Sequence, residues 1–221
     1  LVFHAVRSRK KAVMLNVLIT GIGGQGSVLA AKILAQAAAY RGWQVRTAET
    51  IDMAQRGGNV MSHVRMGNNG EEVLAPLIAQ GSANCVIALE VGEGLRALPF
   101  LSPQGLMVCS TAAIPSVAES LASNPYDAQV LQEAVQARVP RVVMVDDDAI
   151  CRAVGSRKVA NVAMLTAALI ASQSLEGGLG TAISLDEMER AMEQCVKPRF
   201  VELNQNAIRT TQRFQLPKEE E

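Results

Sequence analysis

Six residues, Gly21-Ile22-Gly23-Gly24-Gln25-Gly26, form the first stretch of this chain whose types and spacing can do chemistry. They fit the pattern G-x-G-x-x-G between an apolar run and a helix pattern, the context in which that pattern carries weight. Glycines there permit a tight turn and close approach of the backbone to a ligand, and free N–H groups at a helix start attract phosphate. Glu49 closes the next strand pattern, where the ribose-binding acid of a dinucleotide site would stand. The same glycines would equally serve close packing of a strand against a helix. An ATP-binding loop fits less well, because Ser27 follows Gly26 where that pattern requires lysine.

A second cluster runs Asp52-Met53-Ala54-Gln55-Arg56-Gly57-Gly58-Asn59. The planar fork of Arg56 suits a carboxylate or phosphate, and Gly57 and Gly58 free the backbone for close approach. The plainer reading is a loop entering a strand with one surface arginine. Asn161 interrupts a nearly all-apolar helix pattern, so it needs a hydrogen-bond partner, either in a site or on a neighbouring loop backbone. His63 alternates within a strand and reads as a face or interface residue. Asp146-Asp147-Asp148 do not converge on one point for a metal, and they suit the positive end of a following helix. Glu90, Glu93 and Arg96 read as a local charge set. Cys85, Cys109, Cys151 and Cys195 show no C-x-x-C pair and no nearby histidine, so they read as reduced packing thiols in a cytoplasmic protein.

The elements that must position these residues follow from periodicity. Leu15 to Thr20 reads as a buried parallel strand, Ser27 to Arg41 as a helix ended by Gly42, and Trp43 to Ala48 as a second strand, together a βαβ unit. Asn59 to Met66 alternates as a strand, Gly67 to Gly70 reads as a turn, and Glu71 to Leu74 reads as the return arm of an antiparallel hairpin. Cys85 to Leu89, Leu106 to Ser110 and Val142 to Val145 continue the buried-strand pattern. Asn124-Pro125 supplies a cap and first-turn proline for a helix to about Arg138. The last third is helical: Val159 to Ser174 is apolar on nearly every side, Ser184 and Glu187 form a capping box for a helix to Cys195, and Lys197-Pro198 precedes a final helix. The fold class is therefore α/β: a Rossmann-like, mostly parallel sheet flanked by helices, with an antiparallel hairpin insertion and a helical C-terminal third.

The chain has 221 residues with 21 basic and 21 acidic side chains, so its formal charge is zero and it offers no electrostatic footprint for nucleic acid. With 49% apolar residues and only one Trp, two Tyr and four Phe, it has a core of aliphatic side chains and no base-stacking surface. No apolar run approaches the roughly 20 residues of a membrane span. One domain, residues 14–215, is expected, with tails at 1–13 and 216–221. Met14 directly before the first strand suggests a natural start there, with residues 1–13 as an extension.

Three separated segments in order resemble the gamma domain of 2-oxoacid:ferredoxin oxidoreductases: Gly21 to Gly26 with its flanking strand and helix, Ala48-Glu49-Thr50-Ile51-Asp52-Met53-Ala54-Gln55-Arg56-Gly57-Gly58-Asn59 through Arg65, and Lys158-Val159-Ala160-Asn161-Val162-Ala163-Met164-Leu165. Ala88-Leu89-Glu90 with Glu93 and Arg96 extends the likeness, which covers about Leu15 to Asn206. Met53-Ala54-Gln55 before Arg56 favours the indolepyruvate branch over relatives using pyruvate or 2-oxoglutarate, although Ile51-Asp52 replaces the His-Gly or Tyr-Gly of the family pattern. The resemblance implies a cytoplasmic, non-catalytic subunit of a heteromeric enzyme that decarboxylates a 2-oxoacid oxidatively to an acyl-CoA. It also implies a large alpha subunit holding thiamine diphosphate and iron–sulfur clusters, ferredoxin served through that subunit, and coenzyme A as co-substrate. Gly21, Gly23, Gly24, Gln25 and Gly26 would then hold a phosphate or meet the partner. Arg56, Gly57, Gly58 and Asn161 would contact substrate or partner. A self-sufficient oxidoreductase binding NAD or FAD, and a binding module with no enzymatic partner, stand as the alternatives.

Overall fold

The computed structural model describes residues 14–51, 58–67, 70–115 and 126–215. Six strands form one sheet: β1 (Met14–Ile22), β2 (Gln44–Ile51), β3 (Asn59–Gly67), β4 (Ala83–Ala88), β5 (Leu101–Ser110) and β6 (Val142–Val145). Their order across the sheet is β2-β3-β1-β4-β5-β6. The pairs β1/β4, β4/β5 and β5/β6 are parallel, whereas β3 runs antiparallel to both β1 and β2.

Eight α-helices flank the sheet among the described residues: α1 (Ser27–Tyr40), α2 (Val91–Ala97), α3 (Ala128–Arg138), α4 (Asp147–Val154), α5 (Ala160–Ala171), α6 (Leu179–Ala182), α7 (Leu185–Cys195) and α8 (Val201–Gln215). None is long and apolar enough to cross a membrane. The pleat sends alternate residues of β1 to opposite layers. Leu15, Val17 and Ile19 join the larger core with α1, α5 and α7, while Leu18 joins the smaller core beneath α2 and α3. Helix α5 lies against α1, α8, β4, β5 and β6, so Asn161 through Leu169 are all buried, as the uniform apolar pattern predicts.

Three sequence expectations need correction. Glu71 to Leu74 is not a strand. Both edges of β3 are already hydrogen-bonded, to β1 and to β2, so no edge remains for a return arm. The antiparallel hairpin exists, but β2 and β3 are its arms. The chain after β3 folds back closely enough that a Cβ on Gly67 would lie 2.3 Å from the Glu71 carbonyl oxygen. Farther on, the Arg65 guanidinium of β3 donates to the carbonyls of Ala75 and Leu77. The βαβ unit is also interrupted: β1 and β2 run in the same direction, but β3 separates them. Finally, α3 starts at Ala128 and is capped by Asp127, whose carboxylate accepts from Gln129 and Val130 N–H at 2.8 and 3.0 Å. Asn124-Pro125 lies outside the described residues.

The capping-box reading holds closely. The capping box of Ser184 and Glu187 starts α7, which ends at Cys195. Glu187 also accepts the guanidinium of Arg41 at 2.8 and 3.0 Å, fastening the end of α1 to the start of α7. This bidentate bond holds the Glu187 carboxyl down at about 2. Glu90 is fully buried. Its carboxylate accepts from Glu93 N–H at 2.8 Å, starting α2, and also from Ile114 N–H at 3.1 Å and the Tyr126 hydroxyl at 3.0 Å.

His63 is 2% exposed and packs edge-on against Phe100, with ring centroids 5.9 Å apart. Its Nδ1 accepts from Ile78 N–H at 3.3 Å, which places the ring proton on Nε2, an atom with no hydrogen-bond partner among the described residues. Burial lowers the His63 pKa below its ordinary 6.5. The unfolded chain therefore binds a proton first as pH falls, so stability is full above about 6.5 and declines below it until the folded ring titrates. The urea midpoint should fall between pH 7.5 and pH 5.5, and His63→Phe should remove that part of the decline.

Candidate functional site

The glycine turn leaves β1 at the carboxyl ends of the parallel strands, where α/β sheets present ligands and partners. Gly24 and Gly26 have φ of 97° and 84°, a left-handed backbone that side chains disfavour. Gly26 is the residue before α1 and supplies no side-chain cap. Gln25 locks the turn from inside: its side-chain oxygen accepts from Ile22 N–H at 2.7 Å and its amide donates to the Leu89 carbonyl at 2.9 Å. Gly21 still belongs to β1 and pairs with Val60. A Cβ there would meet the Gln25 side-chain oxygen at 2.7 Å.

The structure brings the three sequence motifs together. Gly23 N–H donates to the Gly58 carbonyl at 3.1 Å, so the end of the arginine-glycine cluster sits on the turn. Arg56 and Gly57 lie outside the described residues. From the other side, Asn161 Nδ2 donates to the Gly26 carbonyl at 3.1 Å. The partner that a buried asparagine needs is thus a loop backbone, and that loop is the glycine turn. Gly23 and Gln25 use their N–H groups internally, the latter on the Ile22 carbonyl at 3.1 Å, which narrows the phosphate-binding capacity expected of the turn.

A cleft of about 340 Å³ opens beside this junction, lined by Gly24, Gln25, Gly26, Asp147, Lys158 and Asn161 among others. Arg157 also reaches it, 3.7 Å from Asp147 and bonded to Asp148. Asp147 is 1% exposed and accepts from the Ser110 hydroxyl. Burial raises its pKa, against the opposing pull of the Ser110 bond and the Arg157 charge. The sequence alone presents the three aspartates as one group. In fact Asp146 caps α4 through Ala149 N–H, Asp148 meets Arg157 at the surface, and Asp147 is a wall of the cleft. Arg157 and Lys158 were not singled out as site cations, although they directly precede the Val159-Ala160-Asn161 segment.

Glu49 is exposed on β2 and pairs with Ser62 of β3. With β3 between it and β1, it lies two strand spacings, roughly 10 Å, from the turn's own strand, a poor place for a ribose-binding acid. Cys85 and Cys109 are buried in the sheet and Cys151 in α4; burial pushes the first two thiols up to about 12 and the third to about 11. Among the described residues, no group of three or more His, Cys, Asp or Glu side chains is arranged to hold a metal ion.

The overall fold is shared with solved subunits of 2-oxoacid oxidoreductases. The gamma subunit of a keto/oxoacid ferredoxin oxidoreductase from Geobacter sulfurreducens superposes with a TM-score of 0.63 at 22% identity, covering 89% of this chain and 95% of that one. Pyruvate oxidoreductase subunit PORC from Thermotoga maritima gives 0.63 at 18% identity over 90% and 94%. The chain belongs to the pyruvate ferredoxin/flavodoxin oxidoreductase family, whose profile matches residues 16–213. Within it, the Indolepyruvate oxidoreductase subunit IorB of Archaeoglobus fulgidus is 36% identical over 197 residues, 88% of this chain and 92% of that protein. The subunit of the same name from Pyrococcus horikoshii is 29% identical over 195 residues, 87% and 92% of the two chains. The branch read from Met53-Ala54-Gln55 thus agrees with the names of these relatives.

Gly26→Ala should destabilise the chain by about 2 kcal/mol, because it adds left-handed strain of ~1 kcal/mol or more and an overlap with Asn161. The new Cβ would lie 2.6 Å from Asn161 Nδ2, whereas at Gly24 it would meet nothing within 4 Å. Gly24→Ala should therefore cost only the strain. Denaturant melts of the two variants check the difference.

Proposed function

We propose that this chain is the small, non-catalytic subunit of a heteromeric indolepyruvate-type 2-oxoacid:ferredoxin oxidoreductase acting in the cytoplasm. The observation that carries this reading is the junction of Gly23 with Gly58 and of Asn161 with Gly26. It gathers the three segments behind the family resemblance at the glycine turn. On this reading residues 14–215 act as one unit, and the larger alpha subunit carries thiamine diphosphate and iron–sulfur clusters. Those groups supply decarboxylation and the electron path to ferredoxin, with coenzyme A as co-substrate.

What this chain's residues do is hold and shape. The glycine turn and Gly58 form a rigid wall that closes one side of the partner's site and excludes water. Arg56 positions an anionic group, and Lys158 adds positive charge at the cleft. Arg157 is already engaged by Asp147 and Asp148, so it braces the wall rather than greeting a ligand. The displacement of Glu49 from the turn weighs against the dinucleotide alternative, while pyruvate and 2-oxoglutarate remain the competing substrates.

Purified alone, the chain should not reduce a viologen dye with indolepyruvate and coenzyme A. Mixed with the large thiamine-binding subunit, it should. Saturable binding of NAD or FAD by the isolated chain would instead support the dinucleotide reading. In the active mixture, Arg56→Ala should lower kcat/KM by about tenfold or more while the complex stays assembled.

A further inference from the structure

We propose that the surface where the end of α7 meets the start of α8 docks an acidic segment of the larger partner subunit, one bulky apolar side chain flanked by carboxylates. This rests on the subunit reading above. The surface holds a hollow of about 280 Å³ with a floor of Leu29, Val196, Phe200 and Leu203, and with Lys158 and Lys197 at its rim. It adjoins the cleft of the glycine turn through Leu29 and Lys158. Through Leu203 it continues into a second hollow bearing Arg199, Glu202 and Arg209. The partner that completes the cleft can therefore extend onto it without a break.

The charge here is unbalanced. Lys158 Nζ stands 5.8 Å from the centroid of the Phe200 ring and the Arg199 guanidinium 4.9 Å from the same ring, so one aromatic side chain gathers two cations. Such contacts attract a cation, yet they leave its charge uncancelled. Among the described residues, Arg41, Arg96 and Arg157 pair with carboxylates, whereas Lys158, Lys197, Arg199 and Arg209 do not. Nearby, Glu202 is the acid that faces two arginines, and Glu193 accepts from Gln205. In a chain of zero formal charge this excess is local, and it complements an acidic surface.

The floor argues for a polypeptide over a small anion. Small-molecule pockets carry buried polar groups that fix the ligand's orientation. The buried polar side chain in this hollow, Asn204, already donates its amide to the Phe200 carbonyl at 2.7 Å. An apolar centre and a rim of long, adaptable cations are the anatomy of a protein interface.

The test measures affinity between the full chain and the large subunit at low and high salt, with enzyme activity read in parallel. Lys197→Glu combined with Arg199→Glu changes two exposed side chains and should weaken association by about tenfold or more at low salt, with a flatter salt dependence. Leu203→Ser should weaken it at both salt levels; if that variant misfolds, the charge pair alone decides. Unchanged affinity of the charge pair would overturn the docking surface and leave the subunit reading intact. Unchanged assembly with a raised KM for coenzyme A would overturn it in favour of a small anionic ligand. Failure of the unaltered chain to bind the large subunit would overturn both readings.

Discussion

The antiparallel placement of β3 between β1 and β2 is the constraint on which the site depends. A strand that pairs antiparallel begins where its neighbour ends. Ile22, the last residue of β1, is therefore opposite Asn59, the first of β3. The Gly23 to Gly58 hydrogen bond continues that ladder one residue beyond the strands. A segment that precedes β3 in sequence is thus delivered to the glycine turn by backbone pairing alone. Had β3 been parallel to β1, Gly58 would sit at the opposite end of the sheet. The same insertion pushes β2 to the edge and carries Glu49 away from the turn, which separates this fold from a dinucleotide-binding βαβ unit built on the same glycine pattern.

The third segment arrives by burial. Helix α5 is enclosed, and Asn161 is a polar residue in its buried first turn. Leaving its amide unbonded there would cost about 1–3 kcal/mol, so the side chain fixes the rotation of α5 against the turn. The Gly26 carbonyl then holds two donors, Asn161 and the Ala30 N–H of α1. Two helices are thereby set on one oxygen, and the cleft lies between them.

How far this was legible depends on the range of each interaction. Strands and helices with strong local periodicity, such as Val142–Val145 and the capped Leu185–Cys195, coincide with the sequence reading because their signals lie within one element. The glycine turn and Asn161 stood out as residues, since glycine clusters and a lone polar group in an apolar helix are visible in sequence. Their mutual contact was not, because it spans 135 positions. The false return arm at Glu71 to Leu74 arose from a strong local turn signal overruled by a distant fact, that β1 and β2 occupy both edges of β3. Helix α2, seven residues with two glycines, is too short for its periodicity to register, and a buried carboxylate starts it instead. Nothing local distinguishes Asp147 from its two neighbours; its contact with Ser110 does, and that lies 37 positions away.

The Glu90 carboxylate has a further meaning for how the chain can change over time. One of its oxygens accepts from both Ile114 and Tyr126, so two positions well apart in the sequence are fastened to the start of α2 at a single point. Closing a longer loop adds only about 0.6 kcal/mol per doubling of length. A change in the number of residues between these two anchors is thus a small energetic matter, and related chains can differ in length between them while both anchors stay on one carboxylate.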